Sequence, residues 1–131
     1  MSPEYVQEWT RKAEADRLAA KRALEDSRQA KDQAEIACFH AQQCVEKFLK
    51  ALLVLNGRHV PRIHDLLALA RLLSKFNFPI SKLEKSLRSL NQYAVEIRYP
   101  GYFAAVAEAR KAVSAMEKIA KVSLRLLEEA P

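Results

Sequence analysis

The chain has 131 residues, of which 50% are apolar and 29% are charged, and its formal net charge is +6. This length suits one domain with a packed core, and no apolar run reaches the roughly eighteen residues that a membrane-spanning helix needs. Only two glycines interrupt a sequence rich in strong helix formers such as Ala, Leu, Lys and Glu. These features predict an all-α fold that forms a single domain over residues 1–131.

The first predicted helix begins near Pro3, a favoured first-turn residue, and ends at about Gln29. Asp16 falls on its otherwise apolar inner face, either as a flanking residue or as a buried acid that needs a basic partner. The inner face has these members: Tyr5, Trp9, Ala13, Asp16, Ala20 and Leu24. The spacing predicts a long amphipathic helix with that one exception.

The second predicted helix runs from about Asp32 to Asn56 and stops at Gly57. It is apolar almost all round, which is typical of a helix at the centre of a bundle. One polar stripe remains on it, at helical spacing: His40, Gln43, Lys47 and Lys50.

This stripe has three possible roles: a dimer interface, a buried hydrogen-bonded network or one wall of a ligand site. We favour the interface, because Ile36 and Val54 continue the same face with apolar side chains. His40, Gln43 and Lys47 are its candidate contact residues. Since the apolar second helix has more hydrophobic surface than five short helices can cover, we also expect a homodimer.

Three shorter segments follow. A third helix is expected to begin near His64-Asp65, with the acid as its entry cap, and to end at about Phe76. A fourth covers about Ser81 to Arg98 before the break at Pro100-Gly101, and a fifth covers about Phe103 to Glu129. The predicted architecture is a single up-and-down bundle of about five helices, resembling a four-helix bundle.

The sequence offers little for a metal or a cofactor. Its histidines are His40, His59 and His64, and they show no zinc-site spacing with one another or with Cys38 and Cys44. The two glycines build no phosphate-binding loop. The cysteines point to different faces of one helix, and the start shows no secretory signal, so we expect a reducing, cytoplasmic location.

The positive charge is concentrated in the middle of the chain. Residues 47–98 contain ten Lys and Arg residues against three acids, whereas residues 1–46 contain seven against nine. Such a segment indicates either an anionic ligand or a solvated basic surface without one.

Three short motifs resemble those of the HEPN domain family. They are Gln42-Gln43 followed by Glu46-Lys47 and Lys50-Ala51, then His64-Asp65-Leu66, then Arg98-Tyr99-Pro100. Their order and spacing agree with the family pattern over nearly the whole chain. The resemblance implies a helical bundle, commonly a homodimer, which binds nucleotides and is often encoded beside a minimal nucleotidyltransferase, in some cases as a toxin–antitoxin pair.

Some HEPN branches are metal-independent ribonucleases that use an Arg and a His four to six residues later. This chain departs from that pattern, because no His follows Arg98. Arg58 and His64 have the right separation, but they precede the third helix, away from the family's catalytic position, and we interpret their spacing as coincidence.

Arg98 has two interpretations. It either neutralises the last carbonyls of the fourth helix or binds a phosphate while Tyr99 and Tyr102 stack on a base. In the second case Lys47 and Lys50 support the site, with His64 as a further ligand contact.

The predicted function is a non-catalytic nucleotide- or RNA-binding module that acts with a minimal nucleotidyltransferase. One alternative is a ribonuclease that uses Arg98 with a histidine such as His64. The other is a purely structural dimerisation module.

Overall fold

The computed structural model describes residues 3–95 and 99–130, and these contain five α-helices and two short 3₁₀ turns. The 3₁₀ turns are Ser74–Phe76 and Gln92–Ala94. The α-helices are α1 Pro3–Asp26, α2 Asp32–Leu55, α3 Leu66–Leu73, α4 Ile80–Asn91 and α5 Val106–Glu128. The predicted all-α bundle of five helices is therefore confirmed.

Helix α2 lies at the centre of the bundle, where it packs against the other four helices. Its large apolar side chains, among them Phe48, Leu49 and Val45, are fully buried. Val54 is 4% exposed, so it is not available to extend an interface face as expected. The other helices of the same chain cover α2, so covering it does not require a dimer, contrary to the expectation from the sequence.

Helix α1 packs along α2 through small residues. Ala13 and Ala20 of α1, and Ala37 and Ala41 of α2, are fully buried, and small side chains let two helices approach closely. The predicted inner face of α1 is wrong at its first position, because Tyr5 is 63% exposed. Trp9, the second position of the face, already contacts Lys50 of α2.

Helix α4 ends at Asn91, seven residues before the expected end at Arg98. Ala94 and Ile97 continue the helical spacing in the sequence, and for this reason the periodicity does not reveal the earlier end. The side chains of Asn91 and Tyr93 make contacts with other elements at this point, and the backbone tightens into the 3₁₀ turn. Arg98 itself lies outside the described residues.

The remaining boundaries are close to the predicted ones. Helix α2 stops where Gly57 adopts a positive φ of 70°, and Asp65 caps α3 as expected. Within the described ranges, no helix combines the length and the apolar character that crossing a lipid bilayer requires.

Candidate functional site

The carboxylate of Asp16 on α1 joins two residues of the polar stripe on α2. Its Oδ1 lies 2.8 Å from His40 Nδ1, and its Oδ2 accepts a hydrogen bond from Lys47 Nζ. Burial alone would raise the pKa of Asp16, but these two hydrogen bonds and the Lys47 charge hold it below its ordinary value. Asp16 is thus a buried acid with basic partners, one of the two possibilities that the sequence left open.

A second acid, Glu46, contacts residues of the first two motifs. It accepts a hydrogen bond from Lys50 Nζ at 2.9 Å and lies 3.1 Å from His64 Nδ1. Gln42 Nε2 donates to the same carboxylate at 3.3 Å. The Lys50 ammonium also lies 5.7 Å from the centre of the Trp9 ring, close enough for a cation–π contact.

The stripe on α2 is therefore a hydrogen-bonded network inside one chain. Lys47 and Lys50, which were predicted as ligand contacts, are each paired with an acid of the same chain. Gln43 donates to the Gln42 side chain at 2.7 Å and so joins the Glu46 cluster. These contacts explain the motif by stability alone, and any ligand or interface role for His40, Gln43 and Lys47 stays a prediction.

His64 differs from the lysines because its side chain remains 66% exposed. Its Nδ1 faces Glu46, and its backbone carbonyl accepts a hydrogen bond from Gln42 Nε2 at 3.3 Å. Glu46 thus orients the imidazole through Nδ1, and Nε2 lies at the opposite edge of the ring. Asp65, the next residue along the chain, caps α3.

Asp65 and Asn91 connect the start of α3 with the end of α4. Asp65 Oδ1 accepts hydrogen bonds from the backbone N–H of Leu67 and Ala68 and from Asn91 Nδ2 at 2.9 Å. Asn91 Oδ1 accepts in turn from the N–H of Leu66 at 2.9 Å. The C-terminal end of α4 is consequently held close to His64.

Tyr102 is not a free stacking platform. Its hydroxyl donates to Glu108 Oε2 at 3.0 Å, and Tyr93 donates to the same oxygen at 2.7 Å. The two tyrosine rings meet edge to face with centroids 6.5 Å apart. These contacts fasten both ends of the α4–α5 connection to the first turn of α5.

Two other aromatic rings of this connection face solvent. Tyr99 is 64% exposed and Phe103 is 66% exposed. Tyr99 was among the predicted contacts, whereas Phe103 was overlooked, because the sequence pattern places it at the start of the fifth helix. That helix begins at Val106, so Phe103 lies in the connection before it. The helical spacing of Phe103 with Val106 and Ala107 gave no signal of this.

Within residues 3–95 and 99–130 no group of three or more His, Cys, Asp or Glu side chains is arranged to hold a metal ion. Cys38 and Cys44 are buried free thiols. Burial, the largest cause, raises the pKa of Cys38 to about 12, so this thiol stays protonated and unreactive at neutral pH.

Comparisons with known proteins agree with this architecture. The model of the HEPN domain family matches residues 6–127. The solved structure of TT1696 from Thermus thermophilus is similar with a TM-score of 0.75 and 23% identity, over 92% of this chain and 97% of that one. ST0689, an archaeal HEPN homologue, is similar with a TM-score of 0.71 and 24% identity, over 96% and 99% of the two chains.

At these identities the two structures support the fold alone. No curated protein matches the chain. The family model, however, covers nearly all of the sequence, and its match agrees with the three motifs and with the helical bundle. The chain belongs to the HEPN domain family.

Proposed function

We propose that this HEPN chain is a non-catalytic module that binds a nucleotide or RNA at the α4–α5 connection. The observation that supports it is the pair of exposed rings, Tyr99 and Phe103, on a segment whose neighbour Tyr102 is fixed to Glu108. Exposed aromatic rings offer stacking surfaces to bases of any sequence. Arg98 supplies the cation for the adjacent phosphate in this proposal.

The paired lysines have a supporting role in the proposal. Lys47 joins α2 to α1 through Asp16, whereas Lys50 pairs on α2 with Glu46, which also faces His64. His64 lies beside the end of α4 and so is a candidate for a further ligand contact.

The test measures binding of a short oligouridylate and a short oligoadenylate by calorimetry. Tyr99→Ala and Phe103→Ala should each weaken binding of both RNAs by roughly 1–3 kcal/mol, since each removes one stacking surface. Tyr5→Ala is the matched control, because Tyr5 is equally exposed but lies on α1. Equal affinities in all three variants would contradict the proposal.

A ribonuclease is the second candidate, and one contact favours it. A carboxylate that orients one nitrogen of an imidazole, while the other is accessible, is the arrangement of a general base. Glu46 and His64 have this relationship. Cleavage of a labelled RNA by the purified protein in EDTA, abolished in His64→Gln, would establish the enzyme; no cleavage in either protein supports the binding module.

We further propose that the module acts with a minimal nucleotidyltransferase in the cytoplasm, as a toxin–antitoxin-type pair. The family resemblance supports the partner, and the two buried free thiols suit a reducing compartment. Co-expression with the nucleotidyltransferase of a neighbouring reading frame, followed by size-exclusion chromatography, tests the pair. Separate elution of the two proteins counts against it.

We also propose a homodimer, but for a different reason from the apolar surface of the second helix. Leu18 on α1 and Ile36 on α2 are large apolar side chains with exposed surface that a second copy of the chain would cover. Light scattering at micromolar concentration should give twice the mass of the chain. The mass of a single chain would leave the monomer as the functional unit.

A further inference from the structure

A groove between α4 and α5 contains cations that the bundle does not use. Its volume is about 420 Å³. The lining consists of three lysines, three serines and one alanine: Lys85, Ser86, Ser89, Lys111, Ser114, Ala115 and Lys118. No acid is among these residues.

The three lysines have no acidic partner among the described residues. Within the described parts of the chain, Lys85, Lys111 and Lys118 form no ion pair. The nearest acids along the described sequence have other partners: Glu84 and Glu117 each pair with an arginine, and Glu108 accepts hydrogen bonds from two tyrosines. The groove is thus a cationic surface lined with hydroxyl groups.

The shape of the groove favours an extended anion. Lys111 and Lys118 are separated by seven residues, or about 10 Å along the axis of α5 at roughly 1.5 Å per residue. Lys85 contributes from the opposite wall. A single small anion cannot contact cations spread over this length, whereas successive phosphates of one strand can.

One end of the groove meets the exposed aromatic rings. Ser89 lies two residues before the end of α4, and Lys111 lies in the second turn of α5. Tyr93 and Glu108 hold these two helix ends together. The connection that carries the exposed rings therefore joins the helices at the end of the groove formed by Ser89 and Lys111.

We infer that the α4–α5 groove binds the phosphodiester backbone of single-stranded RNA, with Lys85, Lys111 and Lys118 on successive phosphates and the serine hydroxyls donating beside them. Backbone contacts of this kind provide affinity without reading sequence. The groove has no aromatic or large apolar side chain among its lining residues that a protein partner would use as an anchor. The inference extends the proposed function, and it rests on that function only for the stacking of bases.

The experiment uses the full chain and two labelled probes of about twelve nucleotides, an oligouridylate and an abasic phosphodiester strand without bases. Fluorescence anisotropy gives the affinity for each probe over a range of potassium chloride concentrations. The groove variant combines Lys85→Gln, Lys111→Gln and Lys118→Gln.

The control variant combines Lys12→Gln, Lys31→Gln and Lys75→Gln, which change the net charge equally at exposed positions outside the groove. In the groove variant, the slope of log affinity against log salt should decrease by about two units for both probes, since each phosphate contact contributes about 0.7. The control should keep the slope of the unaltered protein. Equal slopes for the two variants would overturn the inference, even if Tyr99→Ala still weakened binding of the oligouridylate and so supported the proposed function.

The abasic strand also shows whether the lysine groove binds RNA when the stacking site does not. If it binds through the lysines while Tyr99→Ala and Phe103→Ala leave oligouridylate binding unchanged, the groove is supported and the stacking site is not. If the unaltered protein binds neither probe, the groove is not a nucleic-acid site, and its charge fits an acidic protein instead.

Discussion

Glu46 and Lys50 form an ion pair of 2.9 Å at the centre of the bundle, where their side chains are only 5% and 8% exposed. Removing one partner of a buried pair leaves the other charge without compensation, which costs far more than the pair itself contributes. The pair joins two residues of the first motif, Glu46 and Lys50, and gives both a role in the stability of the bundle.

The first prediction follows from this burial. Lys50→Met should lower the free energy of unfolding by about 3–5 kcal/mol, because Glu46 loses its main cationic partner. Arg88→Met breaks an exposed pair of the same spacing with Glu84 and should cost at most about 1 kcal/mol. Urea denaturation of both variants gives the comparison. A similar small loss in each would mean that water reaches Glu46.

The second prediction concerns acid stability. The pKa values of Asp16 and Glu46 lie below their ordinary values of 3.8 and 4.5, because hydrogen bonds to basic partners outweigh burial. The unfolded chain then binds more protons than the native one as the pH falls through these values. The stability that the two groups contribute is complete above about pH 5 and is lost progressively at lower pH.

Asp16→Asn tests this dependence by chemical denaturation between neutral and acid pH. The variant should be less stable at neutral pH, yet its stability should decrease less steeply in acid. Glu84→Gln, which removes an exposed carboxylate, serves as the control. A decline as steep in Asp16→Asn as in the unaltered protein would show that other groups dominate.

The third prediction concerns the junction of α3 and α4. Asp65→Ala removes the cap of α3 and the contact with Asn91, and should lower the stability by about 1–2 kcal/mol. Asp65→Asn keeps an oxygen acceptor for Leu67 and should cost less. Thermal unfolding measures the stability of both variants. If the two substitutions lower the melting temperature equally, the carboxylate charge matters more than the hydrogen bonds.

The fourth prediction separates the two interpretations of Arg98. If Arg98 binds a phosphate through two parallel hydrogen bonds, Arg98→Lys should lose RNA binding while the melting temperature hardly changes, because a point charge cannot replace the planar guanidinium. If Arg98 only neutralises nearby carbonyls, lysine should substitute for it. Retained binding in a folded Arg98→Lys variant, measured by calorimetry, would favour the second interpretation.

The fifth prediction concerns Tyr102→Phe, which complements the Arg98→Lys variant. The substitution keeps the ring but removes the hydroxyl that donates to Glu108. Since Tyr93 still donates to the same oxygen, we expect a loss of about 1 kcal/mol in stability and little change in RNA affinity. A strong loss of affinity would assign the hydroxyl to the ligand rather than to the fold.

The all-α bundle, the number of its helices and the family could all be predicted from the sequence. Helix propensity, the spacing of apolar residues, the cap at Asp65 and the stop at Gly57 act over a few residues, and they can be recognised locally in the chain. The central position of α2 follows in the same way from its apolar surface.

Which charges are available to a ligand became clear only from the packing of the helices. Lys47 and Lys85 are equivalent in a charge count, yet Lys47 pairs with Asp16, thirty-one residues away, and Lys85 pairs with no described residue. The early end of α4 likewise depends on contacts between Asn91 and Asp65. Such partners come together only when helices distant in sequence pack, because the spacing within one helix carries no information about the helix that will face it.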